Sequence, residues 1–140
     1  MIIVTDVNII ISALIRGGLT RSILVNSGWN FCFPEQALVK ITKYQPLIIE
    51  KTNLSKEEVE ILTKSILSCV KIISIQGLAP YLEHAREIME HIDPEDVYFI
   101  AAALSQENAI IWSDDKHFDQ QNEITCLKTN EIVFLFNQES

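Results

Sequence analysis

The 140-residue sequence predicts an α/β fold: a three-layer α/β/α sandwich around a central, mostly parallel sheet. Three observations carry that prediction. Short β-branched or apolar runs alternate along the chain with stretches of helical periodicity, the pattern of strands joined by crossover helices. One such run, Ala109-Ile110-Ile111-Trp112, is apolar throughout, as strands covered on both faces are. One helical stretch, Val97 to Leu104, is apolar nearly all round and reads as a central buried helix. The length suits one hydrophobic core, so residues 1–140 read as a single domain.

Taken in order, Ile2 to Thr5 is a β-branched run that reads as a buried strand. Val7 to Ile15 and Thr20 to Ser27 have helical periodicity and are separated by Arg16-Gly17-Gly18. Asn30 to Phe33 reads as a second strand, closed by Pro34, which suits the first position of a helix running to about Tyr44. Ser55 and Glu58 form a capping box, and the helix they open carries Val59, Leu62, Ile66 and Val70 on one face, with core as the default environment. Lys71 to Ile75 is strand-like. Pro80 to His91 reads as helix, with Leu82, Ala85, Ile88 and Met89 near one face. Asp93-Pro94-Glu95-Asp96 opens the central helix. After Trp112, a last strand is expected near Ile124 to Leu127. A closing helix follows from Asn130, with Ile132-Val133-Phe134-Leu135-Phe136 packed inward.

Composition limits the function classes. Hydrophobic residues at 48% and charged residues at 21% exclude wholesale disorder. Nineteen acids against eleven Lys plus Arg give a net charge of −8. That field repels phosphate and argues against a basic module gripping nucleic acid by broad counter-ion release. It leaves open an enzyme that handles nucleic acid through a metal. No apolar run approaches the roughly twenty residues that span a bilayer. The opening Met1-Ile2-Ile3-Val4-Thr5-Asp6 lacks the basic start of a signal peptide. Cys32, Cys69 and Cys126 are scattered and read as reduced thiols. His84, His91 and His117 lack zinc-site spacing. The expectation is a cytoplasmic protein with no membrane segment.

The acids fall where parallel sheets gather their chemistry, at the carboxyl ends of strands. Asp6 follows the first strand, and Asp114 and Asp115 follow Ile111-Trp112-Ser113. A helix feeding a parallel strand runs back across the sheet, so Asp93 and Asp96 start from that same edge. Each acid has an ordinary structural use: Asp93 as N-cap ahead of Pro94, Asp96 in the first turn, Asp6 as cap of the helix at Val7, and Asp114 and Asp115 as solvated loop acids. Their convergence changes the balance. Carboxylates held together repel unless they are protonated or share a cation. Only Arg16, Arg21 and Arg86 supply guanidinium groups. A hard ion such as Mg²⁺ or Mn²⁺ is the economical solution, and it leads to phosphoryl hydrolysis.

In this order, the residues resemble the PIN-domain family of metal-dependent ribonucleases, which includes the VapC-like toxins of toxin–antitoxin pairs. The opening Ile2 to Leu14, with Asp6-Val7-Asn8, resembles the family's first strand and its Asp-x-Asn turn. Ile92 to Leu104 resembles the helix of the third acid, and Ile110 to Phe118 the strand and turn of the last. The resemblance implies that Asp6, Asp96 and Asp115 hold Mg²⁺ or Mn²⁺ as the catalytic cluster. Asn8 and Ser113 would orient the site or reach the scissile phosphate, with Asp114 as an outer contact. It also implies an RNA substrate, single-stranded or looped, cut as an endoribonuclease, and an antitoxin-type partner. Pairing into a homodimer would fit the family.

The second acid departs from the pattern. The family's Glu falls on Lys40, six residues past Pro34. Three readings of Lys40 stand: a solvated residue on a helix of shifted register; an ammonium that neutralises Asp6, Asp96 and Asp115 where a metal would bind; or a gap filled by Glu35 or Glu50. Glu35 lies about 140° around the helix from Lys40 and faces another way. The alternative function is therefore a degenerate PIN module that binds protein or RNA without cleavage. A receiver-type phosphoacceptor domain fits poorly, because its acidic pair belongs after the first strand, whereas the pair here is Asp114-Asp115.

Overall fold

The computed structural model describes residues 1–139. Its sheet holds five strands: β1 (Ile2–Thr5), β2 (Asn30–Pro34), β3 (Val70–Ile73), β4 (Ile110–Trp112) and β5 (Cys126–Leu127). Their order is β3-β2-β1-β4-β5, and every adjacent pair is parallel. The expected mostly parallel sheet is thus parallel throughout. Chain progression runs outward from β1 through β2 to β3, then returns to the other side of β1 for β4. The reversal lies between β1 and β4, where Ile3, Val4 and Thr5 pair with Ile110, Ile111 and Trp112. A crevice opens at the carboxyl ends of strands at such a reversal.

Helices cover both faces. On one side lie α1 (Val7–Ile15), α2 (Gly18–Asn26), α3 (Leu38–Lys43), α4 (Gln45–Thr52), α5 (Lys56–Leu67) and α9 (Thr129–Glu139), which pack among themselves. On the other lie α6 (Ile75–Leu78), α7 (Leu82–Met89) and α8 (Val97–Leu104). α8 packs on β1, β2 and β4, and buries Val97 and Phe99 through Ala103, as an apolar helix against the middle of a sheet should. Trp112, Phe33 and Phe99 are fully buried, each contributing on the order of 2–3 kcal/mol of transfer free energy.

Side-chain caps mark several of the element starts. Ser55 Oγ accepts from the Glu58 amide at 3.1 Å and Glu58 Oε1 accepts from the Ser55 amide at 3.1 Å, the capping box expected from the sequence. Asp93 accepts from the Glu95 amide at 2.9 Å, ahead of a single 3₁₀ turn, Pro94–Asp96, that feeds α8. The sharp corner between α1 and α2 needs positive φ at Gly17 (66°) and Gly18 (56°). There the Arg21 guanidinium donates to the Ala13 and Leu14 carbonyls at 2.9 and 3.2 Å, closing the end of α1.

Several sequence expectations are corrected. Pro34 ends β2 in extended conformation, paired with Ile73, and a 3₁₀ turn at Glu35–Ala37 precedes α3. Tyr44 is followed by a separate helix, α4, with Pro46 in its first turn and Asn53 closing it at φ 59°. β3 stops at Ile73, because Ser74 Oγ accepts from the Gly77 amide at 3.0 Å and caps α6 instead. Val70 therefore belongs to β3 and not to the face of α5. In α9, Ile132 is buried but Phe134 is 62% exposed, so that segment packs inward only in part.

Candidate functional site

Asp6 and Ser113 emerge side by side at the β1–β4 reversal, and the Asp6 amide extends the ladder by donating to the Trp112 carbonyl at 3.1 Å. Ser113 is fully buried and links two of the acids. Its hydroxyl donates to Asp6 Oδ2 at 2.6 Å and accepts from the Asp115 amide at 3.0 Å. Asp6 occupies the N-cap position of α1 without a side-chain cap hydrogen bond. Burial pushes the Asp6 carboxyl above its ordinary value; the Ser113 hydrogen bond and the Val7 and Asn8 amides pull it back, and Asp115 pushes it up further.

Asp96 is delivered to the same rim by the turn that starts α8. Its side chain is 9% exposed, and Oδ2 is buried without a hydrogen-bond partner. Burial first, then the charges of Asp93, Asp6 and Asp115, push its carboxyl up to about 7, while His117 acts in the opposite sense. Asp93, Asp6 and Asp115 therefore lie close enough to oppose the ionisation of Asp96. His117 enters on the 3₁₀ turn after Asp115, whose Oδ1 caps that turn by accepting from the His117 amide at 2.9 Å. The ring Nδ1 lies 3.0 Å from Asp93 Oδ2, 3.3 Å from Asp115 Oδ1 and 3.4 Å from Asp96 Oδ2. Burial of the imidazole opposes its charge, but the three carboxylates outweigh that and raise its pKa.

An orphaned buried carboxylate oxygen is rare in a folded chain and costly unless something neutralises it. Carboxylate oxygens gathered at one rim form the donor set of a hard divalent ion. The residues present fit such an ion: ligand atoms of Asp93, Asp96 and His117 lie within 4.8 Å of one another, and Ser113 ties Asp6 and the Asp115 backbone to the same rim.

The sequence matches the PIN domain profile over residues 4–133. The chain belongs to the PIN-domain family. Among solved structures, this PIN domain is similar to VapBC2 from Rickettsia felis bound to a DNA fragment from its promoter. That likeness has a TM-score of 0.66 at 18% sequence identity, and covers 91% of this chain and 98% of that one. No curated protein sequence matches it.

Within this PIN domain, Lys40 sits on α3 with its side chain 28% exposed, which removes the reading of a freely solvated residue. Its ammonium donates to Glu95 Oε2 at 2.7 Å, beside Asp96 and not onto Asp6, Asp96 or Asp115. Burial alone would lower the Lys40 pKa; Glu95, then Asp96 and Asp6, hold it above the ordinary value. Glu50 is exposed on α4. Asn8 is exposed and, with Asp6, Ser12, Arg16, Asp114, Asp115 and Thr129, lines a cleft of about 480 Å³ beside the rim. Asp114 turns to α9, where Oδ1 accepts from the Thr129 amide at 2.8 Å and Oδ2 from its hydroxyl at 2.6 Å. Arg16 faces the cleft, whereas Arg21 is committed to the carbonyls of α1.

Two contributors escaped the sequence reading. Histidine spacing gives His117 no role, but its place two residues beyond Asp115, on the turn that acid caps, carries it back over the rim. Glu95, to which the sequence assigns no separate role in Asp93-Pro94-Glu95-Asp96, faces Lys40 from 55 residues away.

Proposed function

We propose that this PIN domain is a metal-dependent endoribonuclease of the toxin type, hydrolysing RNA phosphodiester bonds with Asp6, Asp96 and Asp115 holding Mg²⁺ or Mn²⁺. The observation that carries this reading is the buried, unpartnered Asp96 Oδ2, whose ionisation Asp93, Asp6 and Asp115 oppose, beside the β1–β4 reversal. A divalent ion bound there would polarise the phosphodiester and lower the pKa of a bound water. The chain's own groups supply the rest. Ser113 fixes Asp6 and the Asp115 backbone in one arrangement. Asn8 and Arg16, which line the adjoining cleft, would receive the phosphates of a single-stranded or looped RNA. A net charge of −8 leaves affinity to such local groups and to the ion, and favours a basic antitoxin-type partner along the acidic rim. A homodimer is the assembly proposed for the free protein. Three free cysteines suit a reducing cytoplasm.

A second reading, a module that binds without cutting, is favoured by one observation: the place of the second acid holds an ammonium engaged by Glu95. A cleavage assay on single-stranded RNA with added Mn²⁺ separates the two. The nuclease reading expects cleavage by the wild-type chain and a fall of roughly a hundredfold or more in Asp6→Asn. The binding reading expects no cleavage by the wild-type chain and its appearance in Lys40→Glu. If neither chain cleaves while both remain folded, the missing second acid is not the cause of inactivity.

A further inference from the structure

We infer that Asp93, Asp96 and His117 form a divalent-cation seat with one nitrogen donor, adjoining the all-oxygen set of Asp6, Asp96 and Asp115, and that it selects Mn²⁺ over Mg²⁺. The inference rests on the reading of the rim as a cation site and adds to it a ligand and an ion preference.

One atom from each of these three side chains lies within 4.8 Å of the other two. Nδ1 of His117 is 3.0 Å from Asp93 Oδ2 and 3.4 Å from Asp96 Oδ2. Neighbouring ligands of an octahedral ion with bonds of about 2.1 Å stand about 3 Å apart, so these separations suit a shared ion. A histidine present only to neutralise acids would donate an aligned, charge-assisted hydrogen bond to at least one of them. His117 Nδ1 faces three carboxylate oxygens and is hydrogen-bonded to none, and Asp96 Oδ2 is likewise unpartnered although its side chain is 9% exposed. Two buried polar atoms that face each other without bonding are oriented like ligands of a common ion.

The surroundings hold these groups in place. Asp93 is fixed by the Glu95 amide through its other oxygen, and His117 is fixed through its own amide by Asp115. Lys40 donates to Glu95 and to neither Asp93 nor Asp96. An imidazole donor disfavours Mg²⁺, which prefers oxygen and retains water, and favours first-row transition ions. Among these, Mn²⁺ best tolerates a set otherwise made of carboxylates and water.

The test is direct metal binding to chelator-stripped protein: calorimetric titration with Mn²⁺ and Mg²⁺, and pulsed electron paramagnetic resonance of the Mn²⁺ form. The wild-type chain is expected to bind Mn²⁺ at least roughly tenfold more tightly than Mg²⁺ and to show nitrogen coupling to the bound Mn²⁺. His117→Ala is expected to lose that coupling and roughly tenfold or more of Mn²⁺ affinity, with Mg²⁺ affinity little changed. Bound Mn²⁺ without nitrogen coupling in the wild-type chain overturns the inference, whatever the variant does. So does coupling that survives in His117→Ala. If His117→Ala retains Mn²⁺ affinity while Asp6→Asn loses it, the acid rim still binds a cation and only the histidine seat fails. If the wild-type chain binds no divalent ion, both fail.

Discussion

Asp96 shows what the fold imposes on one side chain. The turn that starts α8 buries its carboxylate beside Asp93, Asp6 and Asp115, and its pKa rises from 3.8 to about 7. The folded state therefore keeps a proton that the unfolded chain has already released. Stability from this group is fully present below about 4 and is lost as pH rises toward 7, because there the unfolded chain binds fewer protons. Without metal, Asp96→Asn should thus be more stable than the wild type at pH 8, by on the order of 1–2 kcal/mol, with the difference shrinking toward pH 4. Thermal melts of chelated protein across that range check this, and a less stable variant at pH 8 would contradict it. Added Mn²⁺ should raise the wild-type melting temperature and leave the variant's little changed. The position of Asp96 was legible in the sequence, since an acid next to Val97 and Phe99 at a helix start on the carboxyl edge has few places to go. The position of His117 was not, because it depends on a backbone cap by Asp115 that spacing among histidines does not encode.

At the scale of elements, caps and covering decide what the sequence discloses. α5 and α8 were readable, one from its Ser55–Glu58 box and the other from apolar residues on every side. α4 was missed because helical residues continue through Tyr44 with no Gly to mark a stop, and its only start signal is Pro46. The β3 boundary slipped because Ser74 can extend a strand or cap a helix, and the Gly77 amide decides for the cap. The β4–α9 junction bears on the site. Trp112 Nε1 donates to Thr129 Oγ1 at 2.9 Å, and Thr129 in turn donates twice to Asp114. Asp114→Ala should cost about 1–2 kcal/mol of stability, as loss of a helix cap does, and leave divalent-ion affinity within about twofold of wild type. Chemical denaturation and calorimetry measure the two quantities. A large loss of metal affinity with unchanged stability would instead make Asp114 part of the ion's surroundings.

For the whole molecule, the strand order β3-β2-β1-β4-β5 does the gathering: it sets the ends of β1 and β4 next to each other, and α8 starts from that same edge. Alternation of strands and helices makes the layers predictable, and the PIN-domain profile over residues 4–133 agrees with that reading. The charge balance acts on the same scale. A net −8 repels phosphate at long range, so the encounter with RNA should weaken only modestly with added salt when the divalent ion is held fixed, unlike a basic groove that releases many counter-ions. In the proposed function, the acids collected at this edge hold a divalent ion with which the chain cuts RNA. This is tested most directly by following cleavage of an end-labelled single-stranded RNA by chelator-stripped protein as Mn²⁺ is added back. The account predicts no cleavage in the stripped protein, saturable recovery with Mn²⁺, and no recovery in Asp96→Asn. Equal cleavage with and without the ion, or full recovery in Asp96→Asn, would contradict it.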